Sequence, residues 1–213
     1  MVPLRSQGPV VLARIGVDFG AADIAVAVTE PKLVEVGTED FPELRITHYV
    51  RFAEMISFSR VEDGMERLAD VVGGVALRAL RTEVFVDASS LGRYATALLR
   101  GKLHETGARV FEVQITSAGT PVEKGPVWRV PRLALLENVA GMLATGGIVI
   151  PRECQALISQ LKSLRARISE ARRLSVEPVQ DDDLVMALAL AVWKRIYEGE
   201  LTFPPKPRVI NGV

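Results

Sequence analysis

The patterned part of the chain begins with Val10-Val-Leu-Ala-Arg-Ile-Gly-Val-Asp18, an apolar, β-branched run that ends in an acid. Phe19-Gly20-Ala-Ala22 leads into a second run, Asp23 to Glu30. Two such runs about a glycine-containing turn predict a β-hairpin. Residues 32–44 are rich in proline, glycine and acids and read as loop, and Ile46 to Met55 reads as a third strand. From Arg60 the period changes. Val61, Met65, Leu68, Ala69, Val72 and Val75 recur at helical spacing, in spite of Gly64, Gly73 and Gly74. Glu83-Val-Phe-Val-Asp87 is a buried strand that again ends in an acid, followed by the turn Ala88-Ser-Ser-Leu-Gly92. Arg93 to His104 reads as a helix with Ala97, Leu98 and Leu99 inward, and Ala108 to Thr116 as a strand. Ser117 to Trp128 reads as a polar loop.

The remaining elements follow the same rules. Pro131 opens a helix that runs to about Leu143, because proline is tolerated in a first turn. Gly147 to Ile150 is a short strand and Arg152 to Leu164 an amphipathic helix. Arg165 to Pro178, arginine-rich with β-branched flanks, is compatible with a hairpin. Asp181 to Tyr197 is a strongly apolar helix, and the proline-containing stretch from Leu201 to Val213 is a tail. Early antiparallel strands followed by β-α-β units predict a layered α/β fold.

Composition narrows the function. At 213 residues, 48% hydrophobic and 24% charged, the chain can bury a core, and it matches one domain with short appendages. Lysine plus arginine (26) balances aspartate plus glutamate (26), which excludes a protein that coats nucleic acid by bulk charge. DNA binding by such a chain is expected to be weak and salt-sensitive. Cys154 is the one cysteine, and His48 and His104 are the two histidines. An intrachain disulfide and a cysteine-rich zinc module are therefore excluded, and a multi-histidine metal site is disfavoured. No apolar run approaches the ~20 residues of a membrane span, and residues 1–9 lack the apolar core of a signal peptide. These features predict a soluble, intracellular protein.

Three acidic features carry the chemistry. Asp18 ends the first strand, Asp87 ends a later, central strand, and Asp181, Asp182 and Asp183 open the last helix. Ligands of open α/β sheets bind beyond the carboxyl ends of the strands, so strand-end and helix-start carboxylates can converge there. Each also has a plainer role. An aspartate after a strand can turn the chain, and one at a helix start can cap it. One cap needs one aspartate, however, and three adjacent carboxylates at the mouth of a buried helix repel one another unless a cation is near. Hard oxygen donors favour Mg²⁺ or Mn²⁺ over zinc.

Ile15-Gly-Val-Asp-Phe-Gly-Ala-Ala-Asp23, Val84-Phe-Val-Asp-Ala-Ser-Ser-Leu-Gly92 and Gln180-Asp-Asp-Asp-Leu-Val-Met-Ala-Leu-Ala-Leu-Ala191 resemble, in order, the motifs of the nuclease domain of the phage large terminase subunit. Arg129-Val-Pro-Arg132 and Thr145-Gly-Gly-Ile-Val-Ile-Pro151 look like the stretch between them, and the resemblance covers roughly Ile15 to Trp193. It implies an RNase H-like fold, a central mixed β-sheet (antiparallel first strands, then parallel) flanked by helices. It also implies an endonuclease that cuts concatemeric viral DNA during packaging in an infected or lysogenic bacterial cytoplasm. By position, Asp18 and Asp87 match strand-borne metal ligands, and Asp182 and Asp183 the paired acids before the last helix. Asp181 stands where relatives often carry histidine. Two Mg²⁺ or Mn²⁺ ions are implied, with Asp18 bridging them and Asp87, Asp182 and Asp183 completing the two shells.

Two departures qualify the match. The family usually has a glycine nearer the acid than the Ala-Ser-Ser that follows Asp87. No Gly-x-x-x-x-Gly-Lys-[Ser/Thr] loop occurs, so a packaging ATPase is expected on another polypeptide or a missing portion, with small terminase or portal as further partners. The expected organisation is an extension at 1–9, a nuclease-type domain at 10–198 with a basic hairpin at about 164–178, and a tail at 199–213. Lys162, Arg165, Arg167, Arg172 and Arg173 form the densest basic cluster. They suit contacts to the phosphates of double-stranded DNA, as does Arg132 beside Lys124 and Arg129. The same cluster also suits a solvated surface balanced by Glu170 and Glu177. Asp23 reads as a turn residue, His48 and His104 as surface residues, Cys154 as a small packed residue, and Trp128 as core or loop packing.

The opening Gly16-Val-Asp-Phe-Gly-Ala-Ala-Asp also looks like the start of Holliday-junction resolvases of the RuvC and YqgF kinds, which share the fold and the carboxylates. A non-cutting RNase H-like docking module is a third reading. The likeness to the phosphate hairpin of actin-like ATPases fails on length, since those proteins need two duplicated domains.

Overall fold

The computed structural model describes residues 10–38, 41–89, 92–117, 119–124, 127–164, 166–168, 174–176, 182–196 and 201. The chain order is β1 (Val10–Phe19), β2 (Asp23–Thr38), β3 (Phe41–Ser57), α1 (Val61–Ala76), β4 (Ala79–Asp87), α2 (Gly92–Leu103), β5 (Arg109–Thr116), β6 (Val122–Lys124), β7 (Val127–Pro131), α3 (Arg132–Ala144), β8 (Ile148–Val149), α4 (Gln155–Ser163), β9 (Ala166–Ile168), β10 (Leu174–Val176) and α5 (Asp183–Trp193). Among the described residues, the first eight strands form one sheet in the order β6-β7-β5-β4-β1-β2-β3-β8. β1, β2 and β3 pair antiparallel; β1-β4, β4-β5, β5-β7 and β3-β8 pair parallel. β9 and β10 make a separate antiparallel hairpin, as the arginine-rich segment predicted. This is the expected RNase H-like, mixed-sheet architecture.

The period of two along the strands sorts the sheet into two faces. Ile15, Val17, Ile24, Val26, Val28, Val84 and Val86 pack under α1 and α2, whose inward residues include Met65, Leu68, Val72, Ala95, Leu99 and Leu103. Ala25, Ala27, Phe85, Val113 and Val130 face α3, α4 and α5. Helix α5 is apolar on every side, and Leu184 to Val192 are all buried. A helix with no polar stripe needs cover all round. The sheet, α3 and α4 supply it.

Four readings of the sequence change. Residues 32–38 and 41–44 are strand and not loop: β2 and β3 continue as a paired ribbon from Lys32↔Thr47 to Thr38↔Phe41. Pro31 and Gly37 disguise the alternation in Lys32-Leu-Val-Glu-Val36. Pro31 lies beyond Thr29, the last β2 residue that β1 pairs, so the ladder on that side has already ended. Gly37, at φ 103°, takes a conformation that suits glycine near the turn. The polar loop at 117–128 holds β6 and the start of β7, which pair with each other while β7 joins β5. Ala97 is exposed, and the inner face of α2 runs through Ala95, Thr96, Leu99 and Leu103. His48 is buried, because β8 pairs alongside it (His48↔Ile148) and Thr29 Oγ1 lies 3.3 Å from its Nδ1. His104 is exposed, Cys154 is packed, and Trp128 lies half-buried against the core.

Helix α5 packs backbone to backbone on the sheet at Gly16. A Cβ there would lie 1.8 Å from Ala187 O and 2.7 Å from Ala191 N, both backbone atoms of α5. Gly101, on α2, has nothing within 4 Å of the same position. Gly16→Ala is expected to destabilise the protein by more than ~3 kcal/mol, the upper end of overpacking costs, because backbone cannot swing aside as a side chain can. Gly101→Ala is expected to be neutral or to stabilise by up to ~1 kcal/mol, the helix preference of alanine over glycine. Urea unfolding of the two variants beside the parent measures both; similar stabilities would contradict the packing described.

Candidate metal and nucleic-acid site

The site grows from the face of β1 that meets α5. Arg14, Gly16 and Asp18 alternate onto that face, and Glu83, Phe85 and Asp87 do so on β4. The parallel register pairs Arg14 with Glu83 and Gly16 with Phe85, and continuing it past Val17↔Val86 sets Asp18 beside Asp87. Helix α5 runs antiparallel to β1. Its last turn is met by Arg14, which donates to Lys194 O and also bonds Glu83 at 3.0 Å. Its middle rests on Gly16, so its first turn, with Asp182 and Asp183, arrives at Asp18.

Each acid is held differently. Asp18 is buried, 9% exposed, and Asp182 is 6% exposed; Asp87 and Asp183 are half-buried. Asp87 Oδ1 accepts the Ser89 N–H at 2.9 Å, and Ser89 Oγ in turn accepts the Ile115 N–H at 3.2 Å, which ties the turn after β4 to β5. Asp182 occupies the N-cap position of α5 but makes no capping hydrogen bond with its side chain. Gln160 of α4 supplies that bond instead, its Oε1 accepting the Leu184 N–H at 2.9 Å. The Asp182 carboxylate accepts from the Arg132 guanidinium.

Crowding of like charge shows in Asp18. Burial, first, and then Asp87 and Asp183 push its carboxyl up to about 7; Arg132 opposes the rise and Asp182 adds to it. A proton or a cation is thus favoured there at neutral pH. The donor set is entirely carboxylate oxygen, with no sulfur or imidazole, which is the chemistry of Mg²⁺ and Mn²⁺ sites. Among the described residues no three acidic, histidine or cysteine side chains meet as a ready-made metal cage. Asp87 is turned to its Ser89 N–H and Asp182 to Arg132. The residue types fit a hard divalent ion; their present partners are a backbone amide and an arginine.

Lys162 is exposed near the end of α4, Arg132 opens α3 at the acids, and Arg129 of β7 donates to Gln114 Oε1 of β5 at 3.1 Å. Arg167 is in β9. Arg165, Arg172, Arg173 and Asp181 lie outside the described residues. The backbone O of Asp23 accepts the Gly20 N–H at 2.8 Å, a turn role as expected. Gln160 and Ser89 were missed. Asp-x-Ser is a recognisable turn pattern that could have revealed Ser89. Nothing local marks Gln160, whose partner is 24 residues away.

Comparison with solved structures places the architecture. The large terminase nuclease from thermophilic phage G20c with bound magnesium superposes at TM-score 0.55, 17% identity, over 91% of this chain and 92% of that one. The fold is that of terminase nuclease domains. The nuclease domain of the Sf6 large terminase subunit gp2, with manganese and beta-thujaplicinol, gives TM-score 0.57 at 11% identity over 88% and 89% of the two chains. The large terminase of another thermophilic bacteriophage gives 0.56 at 14% identity over 90% of this chain, which spans 41% of that protein. No family model matches the sequence, and no curated protein matches it. Among the described residues no helix is long and apolar enough to cross a membrane.

Two of the shifted groups, Asp18 and His48, give opposite pH dependences. Asp18, raised, holds its proton in the folded state between pH 3.8 and about 7, so its contribution to stability is present at low pH and lost as pH rises through about 7. Burial, first, and then Arg14 lower His48 to about 3, so its contribution is present above pH 6.5 and lost as pH falls towards 3. In chelator, Asp18→Asn is expected to abolish the decline on approaching pH 7 and leave the rise from His48. Calorimetric melting across this window checks it; a parent-like profile for Asp18→Asn would refute the environment described for Asp18.

Proposed function

We propose that this chain is a divalent-metal-dependent DNA endonuclease of the terminase large-subunit type. The observation that supports the reading is the electrostatic coupling of buried Asp18 to Asp87, Asp182 and Asp183, on a fold shared with terminase nucleases. Asp18, Asp87, Asp182 and Asp183 would hold Mg²⁺ or Mn²⁺. When bound, such ions supply positive charge to the attacking and leaving oxygens of a phosphodiester.

The chain's own residues set up the rest. The buried floor of Gly16, Phe85 and the first turn of α5 excludes water beneath the carboxylates and strengthens every charge interaction above it. Gln160 takes over the capping of α5, which leaves the Asp182 and Asp183 carboxylates for other partners. The Ser89 N–H orients the Asp87 carboxylate. The amino end of α5 favours negative charge at this position, which suits both carboxylates and an approaching phosphate. Arg132, and Lys162 with the arginines of the β9-β10 region, would contact the phosphates of double-stranded DNA. With zero net charge, such contacts give weak, salt-sensitive binding, and targeting falls to partners: a packaging ATPase, a small terminase subunit or a portal.

The test is cleavage of supercoiled plasmid and of a synthetic four-way junction with Mn²⁺, Mg²⁺ or EDTA. Metal-dependent plasmid cutting is expected. Asp87→Asn is expected to reduce it beyond the ~10–100-fold typical of losing a residue that merely supports a metal ligand. Symmetric junction cutting with the plasmid spared would instead make the chain a resolvase. Failure to cut either substrate or to bind metal would leave a docking module.

A further inference from the structure

We propose that Arg132 is the resident counter-cation of the acid cluster, holding Asp182 while no metal is bound and exchanging that carboxylate for a phosphate oxygen of DNA when divalent ions arrive. The inference rests on the metal-dependent reading above and adds to it an internal competitor. Arg132 is the first residue of α3, directly after Pro131 at the end of β7. Its helix is tied to α5, where Asn138 Nδ2 donates to Val192 O at 3.2 Å. Its side chain is less confined: 33% of it is exposed, against 8% for the side chain of its partner Asp182. The buried carboxylate stays put, and the guanidinium can swing.

The exchange follows from charge. A carboxylate this buried is costly unpaired, and arginine cannot relieve it by losing a proton. Without metal, Arg132 answers that demand and also opposes the rise of Asp18. A divalent ion among the four acids carries twice the charge and can bind several carboxylates together. Asp182 then has a stronger partner, and Arg132 is repelled toward solvent. There it stands at the mouth of the site with its full charge, where a phosphate would lie. The opposite possibility is a fixed tie in which Arg132 holds Asp182 in place for the metal.

The two differ in the sign of one measurement. Mn²⁺ is titrated calorimetrically into the full chain without DNA, using the parent, Arg132→Gln and Arg132→Lys. The proposal expects Arg132→Gln to bind Mn²⁺ roughly tenfold tighter, the scale of removing one fixed charge a few ångströms away in a partly solvated site. It also expects this variant to melt lower in EDTA and to gain more from Mn²⁺, with Arg132→Lys close to the parent. Unchanged or weaker binding by Arg132→Gln, while the parent binds normally, would overturn the proposal alone. Absence of binding in the parent would overturn it together with the reading beneath it. A second measurement does not depend on how the glutamine variant folds. In the parent, the Arg132 Nε–H resonance, assigned by its loss in Arg132→Lys, should move as Mg²⁺ is added; an unmoved resonance at saturation would overturn the exchange.

Discussion

Helix α5 lies so close to β1 that a single methyl group at position 16 would meet the carbonyl oxygen of Ala187 at 1.8 Å. Backbone-to-backbone contact of this kind leaves little freedom in the height, tilt or register of the helix. Because Arg14, Gly16 and Asp18 stand on the same face of one strand, fixing the middle of the helix fixes both ends. One end delivers Lys194 O to Arg14 and the other delivers Asp182 and Asp183 to Asp18. An apolar helix sheathed by the sheet, α3 and α4 cannot slide to relieve the repulsion at its tip. The fold therefore carries a concentration of negative charge that an exposed helix would shed by moving.

The two ends of that strand-and-helix pair are electrostatic opposites. At the base, buried Arg14 meets buried Glu83 and stacks over Phe85, with 5.4 Å from guanidinium carbon to ring centroid, so the charges there are compensated inside the protein. At the tip, Asp18 is buried among the charges of Asp87, Asp182 and Asp183, and Arg132 pairs with Asp182. Buried ion pairs seldom add stability over apolar packing, but leaving one partner alone is costly. A compensated base and an under-compensated tip direct the demand for a cation to a single end of the sheet.

How much of this was legible depends on how local each signal was. The strand-end positions of Asp18 and Asp87 could be read because each closes a β-branched run. The all-apolar helix could be read because no other environment suits it. The β2-β3 ribbon could not, since Pro31 and Gly37 make residues 32–44 resemble a loop by composition, and only pairing across the ladder reveals the strands. His48 looked like a surface residue until β8, a hundred residues later, covered it. Ala97 shows that a helix's presence is easier to place than its rotation, which tertiary packing decides. Arg132 was marked for phosphate by its charge, while its bond to Asp182 spans fifty positions that no pattern connects.

The bond from Leu184 N–H to Gln160 Oε1 ties the first turn of α5 to α4, on either side of the connection that contains β9 and β10. The connection is closed at its root, much as a clasp closes a loop of cord. What happens beyond the clasp need not be felt at the carboxylates, and lengthening a closed loop adds only about 0.6 kcal/mol of closure entropy per doubling. The basic segment can therefore be lengthened, recharged or replaced while the surroundings of Asp182 and Asp183 keep their geometry.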